Sequence, residues 1–192
     1  MVNAQRTKSD FNIVLFVAIF IFLLQGFYFY VGLATPGGKL SMPFLSNYLN
    51  FPYWLTVFVT KMTKSVLEIL GYSVLQFNPA NITIADSRGV TVAWGCLGIG
   101  AMSLWLAFIL AHRYLSWRIK LKWIISGLVL IFVINVIRIT MIALSNHYNW
   151  QYVHSFNAHS SFNILTYAAI VIMMAIFVRR YKKIKELSLR DR

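Results

Sequence analysis

The fold is decided by the stretch from Trp123 to Leu144, which reads WIISGLVLIFVINVIRITMIAL. The stretch is almost entirely apolar, and at about 1.5 Å per helical residue it is long enough to cross about 30 Å of hydrocarbon. Similar apolar runs lie elsewhere in the chain, at Phe11 to Leu33, Cys96 to Ala111 and Phe162 to Val178. We therefore predict an integral membrane protein with about four spans.

The composition supports this prediction. The 192 residues are 59% hydrophobic and 12% charged, whereas a soluble domain has roughly 25% charged residues. A soluble enzyme of this size could not cover so much apolar surface with polar side chains. The single cysteine excludes an internal disulfide, and no Cys/His cluster has the spacing of a zinc site. We therefore predict no metal and no cofactor.

The cations indicate the orientation of the chain. The net charge is +13, and most Lys and Arg residues precede the first run, separate the second from the third, or follow the fourth. The connection 145–158 contains no Lys or Arg. Because basic loops stay in the cytoplasm, we predict that both termini are cytoplasmic and that 34–95 and 145–158 face outward. Two alternatives remain: a signal peptide at the first run, and nucleic-acid binding by the basic tail.

The outer segment 34–95 is long enough to hold structure of its own. From Tyr53 to Leu70, polar residues recur at helical spacing on one face: Lys61, Lys64, Ser65 and Glu68. This pattern predicts an amphipathic helix in the outer interface. The alternative is a fifth span, which would place two lysines in lipid and invert everything downstream.

Beyond Pro79 the pattern changes to period two. Ile82 and Ile84 alternate with smaller or polar residues, then a turn signal follows, and Val90 and Val92 alternate in the same way. Such alternation around a turn predicts a small β-hairpin. The hairpin would lead directly to Cys96, at the junction between the outer segment and the membrane.

Arg138 is the most informative residue because it lies inside the apolar run. Counting from Lys122 places it about 24 Å above the cytoplasmic edge, and an intramembrane arginine is functional by default. No acidic residue occurs between Asp86 and Glu186. Its charge must therefore meet carbonyls, lipid phosphate, a thiolate or a substrate group, unless the side chain snorkels outward. Asn135 lies on the same helical face and can form hydrogen bonds within such a site.

Two other reactive groups are predicted at the same depth. Cys96 lies about 25 Å above Arg113, and His159 about 30 Å above Arg179, if both segments are helical. A thiol, an imidazole and a guanidinium at one depth are the groups needed for cysteine acyl transfer. Cys96 as a mere small hydrophobe remains the alternative.

The other histidines are weaker candidates for the acid/base. His159 opens the last run, whereas His154 lies in the middle of the outer loop and His147 closes the third run. His154 would reach the site only if the outer loop folded inward. His112 lies among the cytoplasmic cations, where an interfacial position is expected.

Three segments resemble the signature of the exosortase/archaeosortase family, in which multi-pass membrane transpeptidases or proteases carry these motifs in this order. The segments are W94-G-C96-L-G98-I-G, N135-V-I-R138 and H159-S-S-F162-N163-I-L-T-Y167. The resemblance covers roughly residues 80–178. The chain departs from many members at Leu97, where Ser or Thr is common, and at Asn163, where Gly is common.

The resemblance implies a cysteine peptidase or transpeptidase at the outer face of the plasma membrane. Cys96 would be the nucleophile, Arg138 the charge stabiliser and His159 the acid/base, with support from Gly98, Asn135, Asn163 and His154. The implied partners are membrane lipid and exported proteins that end in a short motif, an apolar span and basic residues; no nucleic acid is expected.

We divide the chain into four parts: a first span at 1–33, an outer segment at 34–95, a three-span catalytic core at 96–178 and a basic cytoplasmic tail at 179–192. The fold class is an all-α membrane protein with an interfacial helix and a small hairpin. A non-catalytic assembly subunit and a small anion transporter remain as alternative functions.

Overall fold

The computed structural model describes residues 11–37, 40–85, 87–113, 115–149 and 158–190, with backbone only at 158–163, 165 and 182–190. These residues form six α-helices and one small sheet. The helices are α1 Ile13–Ala34, α2 Pro43–Tyr48, α3 Phe51–Ile69, α4 Ile99–Leu110, α5 Trp117–His147 and α6 Ala158–Arg190. The strands are β1 Val74–Asn78, β2 Asn81–Ile84 and β3 Val90–Thr91.

Within the described residues, α1 and α5 are long and apolar enough to cross a membrane, each with a mean hydropathy of 2.4. The α1 helix begins cleanly because the Asn12 side chain accepts a hydrogen bond from the Leu15 N–H at 3.1 Å, which satisfies one of the otherwise unpaired N–H groups at a helix start. Both helices lie where the first and third runs are predicted. The count of four spans stays a prediction.

The second apolar run does not form one continuous helix. Cys96 ends a 3-10 turn at Trp94–Cys96, and α4 starts only at Ile99 and has 12 residues. Its length of about 18 Å is shorter than the hydrocarbon layer. The estimated height of Cys96 above Arg113 assumed one continuous helix, and this assumption is wrong for the residues before Ile99.

The helix predicted at 53–70 is present as α3, and it packs on α5. Its buried face is formed largely by threonines: the hydroxyls of Thr56, Thr60 and Thr63 each donate to the carbonyl four residues earlier, at 2.8–2.9 Å. Small, internally satisfied side chains let two helices approach closely. The large side chains Trp54 and Phe58 are left about half exposed, so hydrophobicity alone does not identify the packed face.

The described residues are mostly helical, and the predicted hairpin is present as part of a larger sheet. Strands β2 and β3 pair antiparallel, with Ile82 opposite Val90, as the hairpin requires. However, β1 pairs with the other edge of β2, which makes a three-stranded sheet in the order β1-β2-β3. The third strand forms because the inward side chain of Val74 lies opposite Ile84, and both join the apolar cluster around Leu67.

The largest apolar core lies between α4, α5 and α6. Trp105 is completely buried there and donates its indole N–H to the Trp123 carbonyl at 3.1 Å. Its ring lies so close to Gly127 that a Cβ on this glycine would be 1.9 Å from the indole nitrogen. The absence of a side chain at Gly127 therefore allows α4 and α5 to pack together.

Candidate active site

The cysteine lies in a turn that is fixed on both sides. The Cys96 N–H donates to the Ala93 carbonyl at 2.8 Å, and two residues later Gly98 adopts the left-handed conformation with φ of 72°. Glycine adopts this conformation without the steric cost of a Cβ. Leu97 is completely buried in an apolar cluster with Val59 and Ile139, so the residue at which the chain departs from the family pattern anchors the turn.

Asn135 connects the cysteine turn to α5. Its side-chain N–H donates to the Cys96 carbonyl at 2.6 Å, although the two residues are 39 positions apart. Its amide carbon also lies 3.5 Å from where a Cβ on Gly98 would be. Asn135 is only 1% exposed, and its side-chain oxygen has no hydrogen-bond partner in the described part of the chain. The C-x-G and N-x-x-R segments are therefore in direct contact.

Arg138 lies one turn beyond Asn135 and is 7% exposed. It lines a cleft with a volume of about 120 Å³. Helices α1, α4 and α6 and the cysteine turn form the other walls, through Phe27, Tyr28, Trp94, Gly95, Gly98, Ile99, Gly100, Ala101, Thr166 and Tyr167. Arg138 thus faces a cavity within the protein rather than only the lipid.

The electrostatics of the cleft favour negative charge. No Asp or Glu is present among the described residues that line it. The first turn of α4 also faces the cleft, and among the described residues no side chain caps the start of this helix. Unpaired N–H groups and the helix dipole make a helix start partly positive. Arg138 and this helix start can therefore stabilise an anion that forms in the cleft.

The structure brings together only some of the predicted site residues. Gly98 and Arg138 line the cleft, and Asn135 binds the Cys96 carbonyl in the adjoining turn. Cys96 is not among the described residues that line the cleft, and it is partly buried against the apolar cluster of Leu97. The side chains of His159 and Asn163 and the whole of His154 lie outside the described residues. Their placement in the site stays a prediction.

Two histidines lie away from the cleft. The His147 ring packs on Tyr72 and Tyr148, with centroid distances of 5.6 and 4.9 Å. His112 is buried at the opposite end of α4, with its Nδ1 2.8 Å from the Phe108 carbonyl oxygen. Aromatic rings from neighbouring elements enclose its imidazole, and the interfacial position expected for His112 stays a prediction.

Sequence reasoning missed several residues of the cleft. Tyr28 comes from α1, and Thr166 and Tyr167 come from α6. Helical spacing from Thr166 to buried Ile170 could have indicated that this face of α6 points inward. Nothing in the α1 sequence distinguishes Tyr28 from its aromatic neighbours. In the described part of the chain, no group of three or more metal-ligating side chains lies together.

The apolar helices and the arginine-lined cleft define a membrane protein with a candidate reaction site beside its cysteine. The chain belongs to the transmembrane exosortase family: the family model of the transmembrane exosortase (Exosortase_EpsH) matches residues 4–177. The family resemblance noted in the sequence is thereby confirmed. Comparison with curated proteins and with solved structures found no significant match.

Proposed function

We propose that the protein is a membrane-embedded cysteine transpeptidase or protease that processes the C-terminal tails of exported proteins. The observation that carries this proposal is the Asn135 hydrogen bond to the Cys96 carbonyl. This contact holds the only thiol of the chain beside the helix that brings Arg138 to the cleft. Family membership supports the same reaction class.

In the proposed mechanism, the Cys96 thiolate attacks a peptide carbonyl of the substrate. The attack forms the S–C bond and a tetrahedral oxyanion, and Arg138 together with the α4 N–H groups stabilises this charge. Collapse breaks the C–N bond, and His159 protonates the leaving amine. The thioester is then attacked by water or by an amine, hydroxyl or glycan, which His159 deprotonates, and the thiolate is released.

The proposed orientation places both termini in the cytoplasm and the cleft toward the outer face of the plasma membrane. The distribution of cations supports it. Reporter fusions after Lys122 and Arg192 should be active only as cytoplasmic reporters, and a fusion near Trp150 only as an external one. An external signal after Lys122 would refute this orientation.

The proposed chemistry is tested by comparing cells that carry the wild type with cells that carry Cys96→Ala. Exported proteins with an apolar C-terminal span should lose that span only with the wild type, while both variants reach the membrane in equal amounts. Normal tail removal with Cys96→Ala would exclude Cys96 as the nucleophile.

Thiol labelling separates the enzyme from a non-catalytic assembly subunit in which Cys96 only packs. Because the chain has one cysteine, all covalent label reports on this site. A membrane-impermeant alkylating reagent added from outside should label Cys96 in the folded protein, because a reaction site must be open to a substrate. Labelling only after the protein is unfolded would instead favour a packing role.

A further inference from the structure

The cleft lies between two helices that make little contact with each other in the described part of the chain. Both α1 and α6 pack on α4, but α1 and α6 are not among the described helix pairs with extensive contact. Tyr28 of α1 and Tyr167 of α6 line the cleft from these opposite sides, and they are 59% and 53% exposed. The cleft is therefore open sideways, between α1 and α6.

Apolar walls continue from both tyrosines toward the cytoplasmic end. Ile21 lies two turns before Tyr28 on the same face of α1, and Val171 lies one turn after Tyr167 on the same face of α6. Both side chains are more than half exposed. The opening is thus the upper end of a groove with apolar sides.

The upper end of the groove, where it opens into the cleft, is polar. Arg138, Thr166, the tyrosine hydroxyls and the uncapped start of α4 supply hydrogen-bonding groups there. Gly95 and Gly100 leave the backbone open, since nothing lies within 4 Å of the position of a Cβ at either residue. A peptide that leaves a helix inside a bilayer must have its backbone polar groups satisfied by protein, and this end of the groove can satisfy them.

We propose that the groove between α1 and α6 is the lateral portal through which a membrane-spanning segment of the substrate reaches the cleft. The apolar helix of the substrate lies between the two walls, and its unwound outer end passes between Tyr28 and Tyr167 to the reaction site. This inference rests on the proposed function, because it specifies how the tail approaches Cys96. It commits to a substrate that comes from the bilayer rather than from water.

Photo-crosslinking tests the portal without any cleavage. Benzoylphenylalanine replaces Tyr28 or Tyr167 in the Cys96→Ala protein, which keeps an aromatic ring at each position. The matched control is Phe58, a 49% exposed aromatic residue on α3 that does not line the cleft. The probe is a biotinylated peptide with an apolar span of about 20 residues and a polar N-terminal extension, in phosphatidylcholine vesicles.

The portal predicts about tenfold more crosslinked probe at positions 28 and 167 than at 58, the ratio that about 1.4 kcal/mol of binding preference gives. Equal yields at the three positions would overturn the portal. Equal yields at 28 and 167 with the polar extension alone would overturn it as well, because they indicate access from water. Crosslinking at 28 and 167 without tail processing by the wild type would retain the portal and refute the peptidase.

Discussion

The two ends of α4 differ in how their backbone polar groups are hydrogen-bonded. At the carboxyl end, the last carbonyls are occupied: the Asn12 N–H donates to the Ala111 carbonyl at 3.3 Å, and the Lys120 ammonium donates to the Leu110 carbonyl at 3.3 Å. At the amino end, the helix begins after Gly98 with no side-chain cap among the described residues, and its first turn faces the cleft. We call the carboxyl end of α4 the closed end and its amino end the open end.

The side chains around the two ends of α4 also differ. Around the closed end, the His112 ring lies 4.9–5.7 Å from four aromatic rings: Phe11 just before α1, Phe108 of α4, and Phe177 and Tyr181 of α6. Around the open end are Arg138 and three glycines. Aromatic packing fixes the helices at the closed end, and the open end presents polar groups to the cleft.

The largest expected effect is the loss of activity when Arg138 is replaced at the open end. Arg138→Ala should lower tail processing by about a hundredfold or more, as for the loss of one oxyanion donor. Arg138→Lys should also be severely impaired, because lysine lacks the planar fork of two parallel donors. Substrate processing in membranes measures both effects.

The control for this pair is Arg118→Ala, which removes an exposed cation near the closed end. It should retain normal processing, since Arg118 does not line the cleft. Comparable losses in Arg118→Ala and Arg138→Ala would show that overall positive charge matters, and not the position of Arg138.

The next largest effect should separate the histidines. His159→Ala should stop processing, whereas His154→Ala and His147→Ala should each retain most of it. For His147 the physical reason is its packing on Tyr72 and Tyr148, away from the cleft. Trapping of a thioester in His159→Ala would indicate a role in deacylation. Full activity in His159→Ala with an inactive His154→Ala would transfer the acid/base role to His154.

A smaller effect, on stability alone, is expected in the core that continues from the closed end. Gly127→Ala forces a methyl group into the Trp105 ring and should destabilise the protein by about 1–3 kcal/mol, as overpacking does. Thermal unfolding in detergent measures the change. Gly32→Ala is the matched control, because nothing lies within 4 Å of a Cβ there. A Gly127→Ala protein as stable as Gly32→Ala would contradict the close α4–α5 contact.

The smallest effect concerns Tyr72, which lies in the turn between α3 and β1. Its hydroxyl lies 2.8 Å from that of Tyr148, and this hydrogen bond raises the pKa of Tyr72 above its ordinary value. A raised pKa means that the folded state keeps a proton that the unfolded state loses. The contribution to stability is therefore complete below about pH 10 and is lost as the pH rises through the folded-state pKa.

Tyrosinate absorbance during alkaline titration should detect this group, compared between the wild type and Tyr72→Phe. The difference between the two curves should titrate above pH 10, the ordinary value for tyrosine. A difference that titrates below pH 10 would contradict the hydrogen bond between the two hydroxyls.

Local patterns in the sequence predicted the helices and strands better than they predicted which elements pack against each other. The helical spacing of Lys61, Lys64 and Glu68 correctly indicated α3, but the packed face carries threonines whose hydroxyls are satisfied within the helix. The alternation of Ile82 and Ile84 correctly indicated β2, but β1 was missed. Periodicity reports which residues share a face, and it does not report which face a neighbouring element covers.

The candidate site was likewise predicted only in part from the sequence. Spacing alone put Asn135 and Arg138 on one face of a helix, and the lack of acidic residues from 87 to 185 marked the arginine as unusual. The contact between Asn135 and the Cys96 carbonyl joins residues 39 positions apart. No local pattern specifies such a contact, since it depends on how two helices rotate about their own axes.

The sequence by itself determined that this chain needs lipid as its solvent, because its composition leaves too little polar surface for water, and that its third apolar run carries the charge of Arg138. Only the tertiary structure decided that α4 starts after Gly98 and that the start of α4, Tyr28 and Tyr167 surround Arg138. The physical reason is that backbone hydrogen bonds and side-chain periodicity are local. The cleft, by contrast, arises from the relative rotation and spacing of four helices, which only their mutual packing fixes.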